Sequence, residues 1–304
     1  MLTDSLLKML AALVSEFAQK DGEPLILDND LIAFRRTLTT ELIPCIYEPS
    51  IALILQGKKK ILHGGKVYEY GPGSLLLTTL DVPVMSCVTE ATAASPYVGL
   101  LFKLDTGLLA ENIDLVSSPA GTGSVNYQPL SICSPDPGLL SAFTRMVEVS
   151  QSPVLNPLLA PLLRKEIVIR LLHGEGSAHI RHAAQRNESV SKISRAISWL
   201  KENYTQPFSL EDLAGKVFMS PSTFRQYFKR VTGVSPLQYQ KSLRLHQARK
   251  LMVNLDMDAG RASLEVGYES VSQFSREYSR LFGLPPLRDS KILKASFISP
   301  DNVH

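Results

Sequence analysis

The chain has 304 residues, of which 44% are hydrophobic and 20% are charged. These proportions exclude a disordered or fibrous chain and are typical of a globular protein, and the length is sufficient for two domains with separate cores. The formal net charge is +3, but residues 1–189 hold 15 Lys and Arg against 19 Asp and Glu, whereas residues 190–290 hold 15 against 9. The C-terminal third therefore has the basic excess expected of a module attracted to phosphate groups.

Three cysteines, Cys45, Cys87 and Cys133, lie far apart in the chain and form no CxxC pair. This pattern favours a reducing, cytoplasmic environment and argues against a disulfide framework or a structural zinc site. A redox-sensing role for one thiol stays open, because it depends on a lowered pKa. The N-terminus lacks a basic segment before an apolar one, and no apolar run approaches about 18 residues, so we expect neither export nor a membrane span.

The first part of the chain is predicted to form one helix followed by short strands. Leu6, Leu10 and Val14 follow helical spacing within residues 2–19. Apolar runs between Gly and Pro turns then predict strands at residues 51–55, 61–63, 66–70, 74–79 and 97–104. Lys58–Lys60 is predicted as a solvated hairpin tip, with contact to an anionic ligand or DNA as the alternative. These strands indicate a small antiparallel barrel or sandwich, which can hold a small ligand in its mouth.

This domain lacks the residues of a catalytic site. A divalent metal needs three or four convergent donors, but only His63 and Glu69 lie in a suitable region, and no second histidine precedes His173. His63 is therefore interpreted as a turn residue. The segment GPGSL after Tyr70 lacks the Lys and the spacing of a phosphate-binding loop, and no nucleophile elbow is present. The sequence predicts that the chain is not an enzyme and needs no cofactor.

Two helices are predicted next, at residues 137–149 and 157–172. The second has a wide apolar surface, formed by Leu158, Leu159, Leu162, Leu163, Ile167, Ile169, Leu171 and Leu172. It either packs on its own barrel or forms a dimer contact, and the two roles can be combined. Residues 174–188 are polar and open with Gly-Glu-Gly-Ser, so they are predicted as a linker. His173, His179 and His182 have no acidic or thiol partner at a suitable spacing, which favours a solvated linker over a metal cluster.

A helix-turn-helix pattern follows a predicted helix at residues 189–204, in which Trp199 is a core residue. A short helix at residues 210–216 and a turn lead to Ser220, a good N-cap, with Pro221 at the first helical position. The inner face of the next helix carries Phe224 and Phe228. Its outer face carries Ser222, Arg225 and Gln226 at positions i, i+3 and i+4.

The same pattern recurs roughly 50 residues later, in GYESVSQFSREYSRLFG from Gly267 to Gly283. Ser270 is the N-cap, and Gln273 is placed to complete a capping box. The inner face carries Phe274, Tyr278 and Leu281, and the outer face carries Ser272, Ser275 and Arg276. Short hydrogen-bonding side chains and Arg suit the major groove of DNA, where base edges present donors and acceptors.

Residues 189–289 resemble the DNA-binding domain of the AraC/XylS family of bacterial transcription regulators. The matching segments are LEDLA from Leu210, MSPSTF from Met219, GVSP from Gly233, Arg244-Leu245 with Ala248-Arg249, and Gly267 to Gly283 followed by Pro286. The family often places an aromatic residue and Arg after this last Pro, whereas this chain has Leu287-Arg288-Asp289. The segments IALILQGKKKI and YGPGSLLLT resemble, less specifically, the cupin-like N-terminal domain of one subgroup.

The resemblance implies an α+β protein with a cupin-like antiparallel β-barrel and flanking helices, followed by an all-α double helix-turn-helix domain. The expected divisions are an effector and dimerisation domain at residues 1–173, a linker at 174–188, the DNA-binding domain at 189–290 and a tail at 291–304. By position in the family, the base-facing residues are Ser222, Arg225, Gln226, Ser272, Ser275 and Arg276. The residues expected to contact phosphates are Lys229, Arg230, Arg249 and Arg280.

The expected function is sequence-specific transcription regulation in the cytoplasm, with promoter DNA, a homodimer partner, RNA polymerase and a small-molecule effector as partners. A long helix at residues 237–255 would hold the two motifs about one turn of DNA apart. Two alternatives are a cupin-type enzyme or a DNA-repair alkyltransferase fused to a DNA-binding module. The first needs metal ligands or another active site, and the second needs a reactive cysteine in a characteristic setting that Cys45, Cys87 and Cys133 lack.

Overall fold

The computed structural model describes residues 2–116, 127–184 and 188–295. The N-terminal elements are α1 (Leu2–Phe17), β1 (Leu25–Asp28), β2 (Leu31–Arg36), β3 (Ile43–Tyr47), β4 (Ser50–Gln56), β5 (Lys58–His63), β6 (Lys66–Tyr70), β7 (Leu75–Thr78), β8 (Val82–Glu90), β9 (Tyr97–Lys103), α2 (Thr106–Asn112), β10 (Leu130–Cys133), α3 (Pro137–Ser150), α4 (Asn156–His173) and α5 (Ser177–Ala184). The C-terminal elements are α6 (Glu188–Glu202), α7 (Leu210–Lys216), α8 (Pro221–Thr232), α9 (Pro236–Asn254), α10 (Ala259–Glu265), α11 (Val271–Phe282) and α12 (Pro286–Ala295). None of the described helices is long and apolar enough to cross a membrane.

The strands form two antiparallel sheets that share a core. Their orders are β1-β2-β9-β4-β7-β10 and β3-β8-β5-β6. Because side chains alternate between the faces of a strand, Ile54 and Leu101 of the larger sheet meet Ile61 and Val84 of the smaller one in a single buried cluster. The other face of the larger sheet packs against α1, α3 and α4, in a cluster that includes Leu10, Leu53, Phe102, Phe143 and Ile167. The predicted antiparallel β-domain with flanking helices is confirmed.

Strands β4, β5, β6, β7 and β9 coincide with predicted strands, whereas β1, β2, β3, β8 and β10 were not expected. In β3 and β8 the apolar pattern is interrupted by Pro44 and Pro83. Proline cannot donate to a strand ladder and lowers the strand signal of a sequence. These two strands still pair with each other in regular register.

The interpretation of Lys58–Lys60 as a hairpin tip is wrong. The turn lies at Gly57, whose φ is +80°, and all three lysines belong to β5. Lys58 and Lys60 form ion pairs with glutamates of neighbouring strands on the outer face. Lys59 points into the sandwich and is only 4% exposed.

Helices α6 to α12 form two adjoining cores that are joined by α9. The first contains Phe224 and Phe228 of α8, together with Leu80 from the N-terminal domain. The second contains Phe274 and Tyr278 of α11. Helix α9 contributes to both cores, and each predicted helix of this domain lies within two residues of its expected bounds. Trp199 is half-buried against the first core and meets the ring of Phe208 edge-on.

Helix α5 occupies much of the segment that is predicted as a linker. Ile180 belongs to the N-terminal core. The guanidinium of Arg181 is buried and donates to three backbone carbonyls, those of Ile113, Val116 and Leu172. Residues 177–184 are therefore fastened to the N-terminal domain. Residues 185–187, and residues 296–304 of the expected tail, lie outside the described ranges.

Polar groups add to the contact that Leu80 makes between the two domains. On α6, the ammonium of Lys201 forms ion pairs with Asp81 and with Glu48, the latter at 3.2 Å. The hydroxyl of Tyr239 on α9 donates to the Asp81 carbonyl at 3.2 Å.

His63 forms a further contact between the domains. Its interpretation from the sequence as a turn residue is wrong. His63 ends β5, is 7% exposed, and its Nε2 lies 3.4 Å from the carbonyl oxygen of Val231 in α8. Its Nδ1 lies 3.0 Å from the carbonyl oxygen of Pro83. Because burial outweighs these contacts, the pKa of His63 is lowered.

All three cysteines are buried and free. Burial raises the pKa of Cys45 to about 12, and it also raises the pKa of Cys133. A redox sensor or an alkyl acceptor requires a thiol that ionises near neutral pH, and neither of these two thiols is disposed to do so. Among the described residues, no group of three or more His, Cys, Asp or Glu is placed to hold a metal ion.

Candidate nucleic-acid interface

Helix α8 begins and ends at the predicted residues. The hydroxyl oxygen of Ser220 accepts from the backbone N–H three positions later, with an oxygen to nitrogen distance of 3.3 Å. Pro221 follows at the first helical position, where a missing N–H costs no helical hydrogen bond. Gly233 ends the helix with φ of +76°, the left-handed conformation that favours glycine. The buried inner face, through Phe224 and Phe228, orients the helix on its core.

Helix α11 repeats this construction with one difference from the prediction. Ser270 accepts from the backbone N–H of Gln273 at 3.3 Å, and Gly283 ends the helix with φ of +78°. The side-chain oxygen of Gln273 does not accept from the Ser270 N–H, so no capping box forms between these two residues. The Nε2 of Gln273 donates to Glu277 Oε1 at 3.2 Å. Phe274 and Tyr278 are fully buried, so the predicted inner face is confirmed.

The outer faces of α8 and α11 present the predicted base-facing side chains at equivalent positions. Ser222, Arg225, Gln226, Ser272 and Arg276 are exposed, and Ser275 is half-buried. Neither guanidinium, of Arg225 or of Arg276, forms a hydrogen bond or ion pair with another described residue. Each face can therefore offer a planar set of donors to an external acceptor.

Three of the four residues expected at phosphates are exposed near the C-terminal ends of α8 and α11. These are Lys229, Arg230 and Arg280. The guanidinium of Arg230 lies 4.1 Å from the centre of the Tyr227 ring, a cation–π contact that restrains its side chain. These positions flank the base-facing residues, as expected for groups that position a helix on a duplex.

The expectation that Arg249 contacts phosphate is wrong. Arg249 is 6% exposed, and its Nε and Nη2 donate to the two carboxylate oxygens of Asp289 at 2.8 and 2.9 Å. The hydroxyl of Tyr278 donates to the same carboxylate at 2.7 Å. The departure of this chain from the family pattern after Pro286 thus supplies the acid that ties α9, α11 and α12 together. A sequence pattern could not distinguish this Arg from the exposed ones, because its partner is 40 residues away.

Arg244 of α9 is also used within the fold. It donates to the carbonyls of Tyr204, Thr205 and Gly267 at 2.6 to 3.0 Å. Gly267 has φ of +85°, and a Cβ at this position would lie 2.1 Å from the Thr205 carbonyl oxygen. The chain between α6 and α7 therefore touches the turn between α10 and α11 directly, and Arg244 joins the two motifs at that point.

Helix α9 sets the distance between the motifs. It has 19 residues, which at a rise of about 1.5 Å per residue gives a length of about 28 Å. Successive major-groove segments on one face of DNA are about 34–36 Å apart. The length of α9 is thus comparable to this separation, although it is shorter by several ångströms.

Comparisons with known proteins identify the family of this two-domain architecture. Residues 29–179 match the family model described as AraC-type transcriptional regulator N-terminus, and residues 213–291 match a helix-turn-helix domain model. The chain belongs to the AraC-type transcriptional regulators. The thermoregulatory protein LcrF of Yersinia pestis is 24% identical to this regulator, over 79% of the present chain and 88% of LcrF. The regulator ExsA of Pseudomonas aeruginosa is 29% identical, over 44% of the present chain and 48% of ExsA.

A solved structure shares the fold of this AraC-type regulator. ToxT from Vibrio cholerae, solved with an unsaturated fatty acid bound, superposes with a TM-score of 0.59 at 14% identity, over 88% of the present chain and 95% of ToxT. ExsA is named as a transcriptional regulator and LcrF as a thermoregulatory protein, so the prediction of a regulator rather than an enzyme is confirmed. The descriptions of the two matching family models favour a transcriptional regulator over a cupin enzyme or an alkyltransferase.

Proposed function

We propose that this AraC-type regulator recognises promoter DNA by placing α8 and α11 in two successive major-groove segments. The observation that carries the proposal is the matched pair of outer faces, each with a guanidinium that no described residue engages. Arg225 and Arg276 can each pair bidentately with guanine, and Gln226 can pair with adenine. Lys229, Arg230 and Arg280 are assigned to phosphates.

Genomic footprinting with the purified full-length protein tests this proposal and locates the operator in the same experiment. We expect two clusters of protected bases about one helical turn apart on one face of the duplex. Fluorescence anisotropy on a recovered site should give an affinity at least about 10³-fold above that for random DNA at the same salt concentration. A single protected cluster, or equal affinity for both DNAs, would contradict the proposal.

The outer face of α4 is the surface through which we infer a homodimer. Leu158, Leu162 and Ile169 are 66%, 65% and 37% exposed and lie along one stripe of the helix. The opposite face of α4, through Leu163 and Ile167, is buried in the N-terminal core. One helix thus supports the barrel and presents an apolar stripe for a second copy. Sedimentation equilibrium should show a dimer for the natural chain and a monomer for Leu162→Glu, and a monomer for both would refute the inference.

The N-terminal domain is proposed to bind a small-molecule effector that alters DNA binding. The β-sandwich encloses a core between its two sheets, and barrels of this kind can hold a small ligand. ToxT has been solved with (E)-4-(8-methylnaphthalen-1-yl)but-3-enoic acid as well as with a fatty acid. Action in the cytoplasm and contact with RNA polymerase belong to the same proposal, since a promoter-bound regulator acts where transcription takes place.

A further inference from the structure

The turn of the first helix-turn-helix motif holds an exposed aromatic residue in a backbone conformation that favours glycine. Phe218 lies between α7 and α8 with φ of +55°, and it is 78% exposed. Among the described residues other than glycine, only Phe218 and Asp256 have a positive φ. This conformation is unfavourable for a bulky residue, because its Cβ approaches the following carbonyl oxygen. Phe218 therefore adopts a strained conformation and gains no burial from it.

The second motif builds the same turn with glycine. The backbone N–H groups of Phe218 and Met219 each donate to a carbonyl of α7 at 3.0 Å. Those of Gly267 and Tyr268 close the end of α10 in the same way, at 3.0 and 2.9 Å. Glycine is the usual residue at the left-handed position of such a helix end. The turn itself does not need the aromatic ring, and strain that the fold does not use points to a function of the side chain.

The chain around Phe218 is basic and polar. Residues 213–255 contain no Asp or Glu. Lys216, at the end of α7, and Ser222, in the first turn of α8, are both exposed. The ammonium of Lys192 on α6 donates to the carbonyl of Phe218 at 3.3 Å and holds the turn from behind. Charge complementarity therefore favours a polyanion such as DNA as the partner of this surface.

The proposed docking on DNA places this turn at the edge of the major groove. In a helix-turn-helix motif the first helix crosses the DNA backbone, and the N-terminal residues of the second helix contact base edges. Phe218 lies two residues after the end of α7 and two residues before Ser220, the N-cap of α8. The turn is therefore located where the DNA backbone meets the groove, beside the base pairs that the start of α8 approaches.

We propose that Phe218 is a further specificity-determining residue, whose ring packs on the C5-methyl group of a thymine at the edge of the half-site that α8 reads. A phenyl ring offers no hydrogen bond to a base edge, and the thymine methyl is the apolar group that base edges present in the major groove. This inference rests on the proposed function and adds one base preference to the first motif. The second motif, with Gly267 at the equivalent position, has no counterpart.

Anisotropy titrations of the full-length protein on the operator recovered by footprinting test this contact. The α8 half-site is the one in which Arg225→Ala relaxes a base preference. Each thymine of the operator is replaced in turn by deoxyuridine, which lacks only the methyl group. At one thymine beside the α8 half-site, this replacement should lower the affinity of the natural chain about fourfold, as expected for one buried methyl group.

Phe218→Gly should bind the unmodified operator about fourfold more weakly than the natural chain, since it loses the same methyl contact. It should show no further loss when deoxyuridine replaces that thymine, because the two changes remove one interaction. Its affinity for random DNA should equal that of the natural chain. Phe218→Asn, which also suits a left-handed turn but has no apolar ring, should behave as Phe218→Gly does.

Thermal melting of the same variants separates this role from a structural one. Phe218→Gly should melt at or above the Tm of the natural chain, because glycine adopts the left-handed conformation without strain. Leu237→Ala is the matched control, since Leu237 is an apolar residue of the same domain that is 54% exposed at the start of α9. This variant should keep both the operator affinity and the deoxyuridine response of the natural chain.

The inference is overturned if the operator has no thymine beside the α8 half-site, or if deoxyuridine there leaves the affinity of the natural chain unchanged. It is also overturned if Phe218→Gly responds to deoxyuridine as the natural chain does, weakens random DNA equally, or melts well below the natural chain. With specific binding and two protected clusters intact, these results refute the thymine contact and leave the proposed function in place. Failure of the natural chain to distinguish the operator from random DNA would refute the proposed function, and this inference with it.

Discussion

The two helix-turn-helix motifs have nearly the same caps and inner faces, but the fold fastens them differently. The first takes Leu80 of the N-terminal domain into its core, and its helix α8 meets His63 through the Val231 carbonyl. The second is held by a buried pair inside its own domain, between Arg249 and Asp289. Helix α11 also lies near β3, but the buried pair fixes it independently of that contact.

This difference suggests a division of labour between the motifs. A motif whose core includes a residue of another domain responds when the conformation of that domain changes, because packed interfaces shift between discrete arrangements. A motif fastened by its own buried ion pair keeps its structure. We therefore expect the first motif to transmit the effector signal and the second to act as the constant part of the DNA contact.

The largest expected effect is that of Asp289→Ala. The change leaves the Arg249 guanidinium buried without its partner and removes the acceptor of Tyr278, so the C-terminal domain should lose about 3–5 kcal/mol of unfolding free energy. Urea denaturation measures the loss. Arg288→Ala, at the exposed neighbouring position, should stay within about 0.5 kcal/mol of the natural chain.

Replacing both partners, as in Arg249→Met with Asp289→Leu, should recover part of that stability, because no charge is then left buried. If Asp289→Ala were as mild as Arg288→Ala, the second motif would not depend on the buried pair, and the contrast between the motifs would be lost.

The next effect concerns DNA recognition by the first motif. Arg225→Ala should cost about 1–3 kcal/mol on a cognate site and relax the preference at one base. Lys229→Ala should weaken all sequences alike and lower the slope of log affinity against log salt by about 1. Anisotropy titrations on cognate and random duplexes at several salt concentrations separate the two outcomes. Equal losses on both duplexes for both variants would show that Arg225 does not read a base.

The smallest effect is the pH dependence of the contact at His63. Burial lowers the pKa of His63 in the folded chain, so the unfolded chain takes up the proton first as the pH falls below about 6.5. Stability is therefore complete above that pH and declines as the pH falls towards the lowered value, by up to about 1.4 kcal/mol per pH unit for one histidine.

Replacing His63 by Gln should reduce this decline, which urea denaturation between pH 7 and pH 5 measures. The ring of His246 on α9 meets the ring of Phe282 edge-on, and burial lowers the pKa of His246 to about 3. His179 of α5 also has a pKa lowered by burial. The parts of the stability decline that are due to His246 and His179 should persist in the His63→Gln variant. An unchanged slope would show that the domain contact does not titrate.

Local chemistry explains which parts of this structure the sequence could predict. The caps at Ser220 and Ser270 and the inner aromatic residues act within one helix, so their roles were evident from spacing. The role of Arg249 was not, because the acid that buries it lies in another helix. The side on which Lys59 lies depends on the position of the turn at Gly57, and a shift of one residue in a strand exchanges its two faces. The strands that contain Pro44 and Pro83 were missed because pairing partners, rather than local propensity, hold them in a sheet.

Arg244 joins the two motifs by donating to the carbonyls of Thr205 and Gly267, and this has a consequence for the promoters that the regulator can use. A protein whose two DNA-binding motifs are joined flexibly tolerates operators whose half-sites differ in separation. In this regulator the two motifs are fixed to each other. One added base pair between the half-sites would therefore rotate the second half-site out of reach of the second motif. Changes in operator spacing must therefore be accommodated by bending or twisting of the DNA, and the sequence between the half-sites, although untouched by any side chain, becomes part of what the regulator selects.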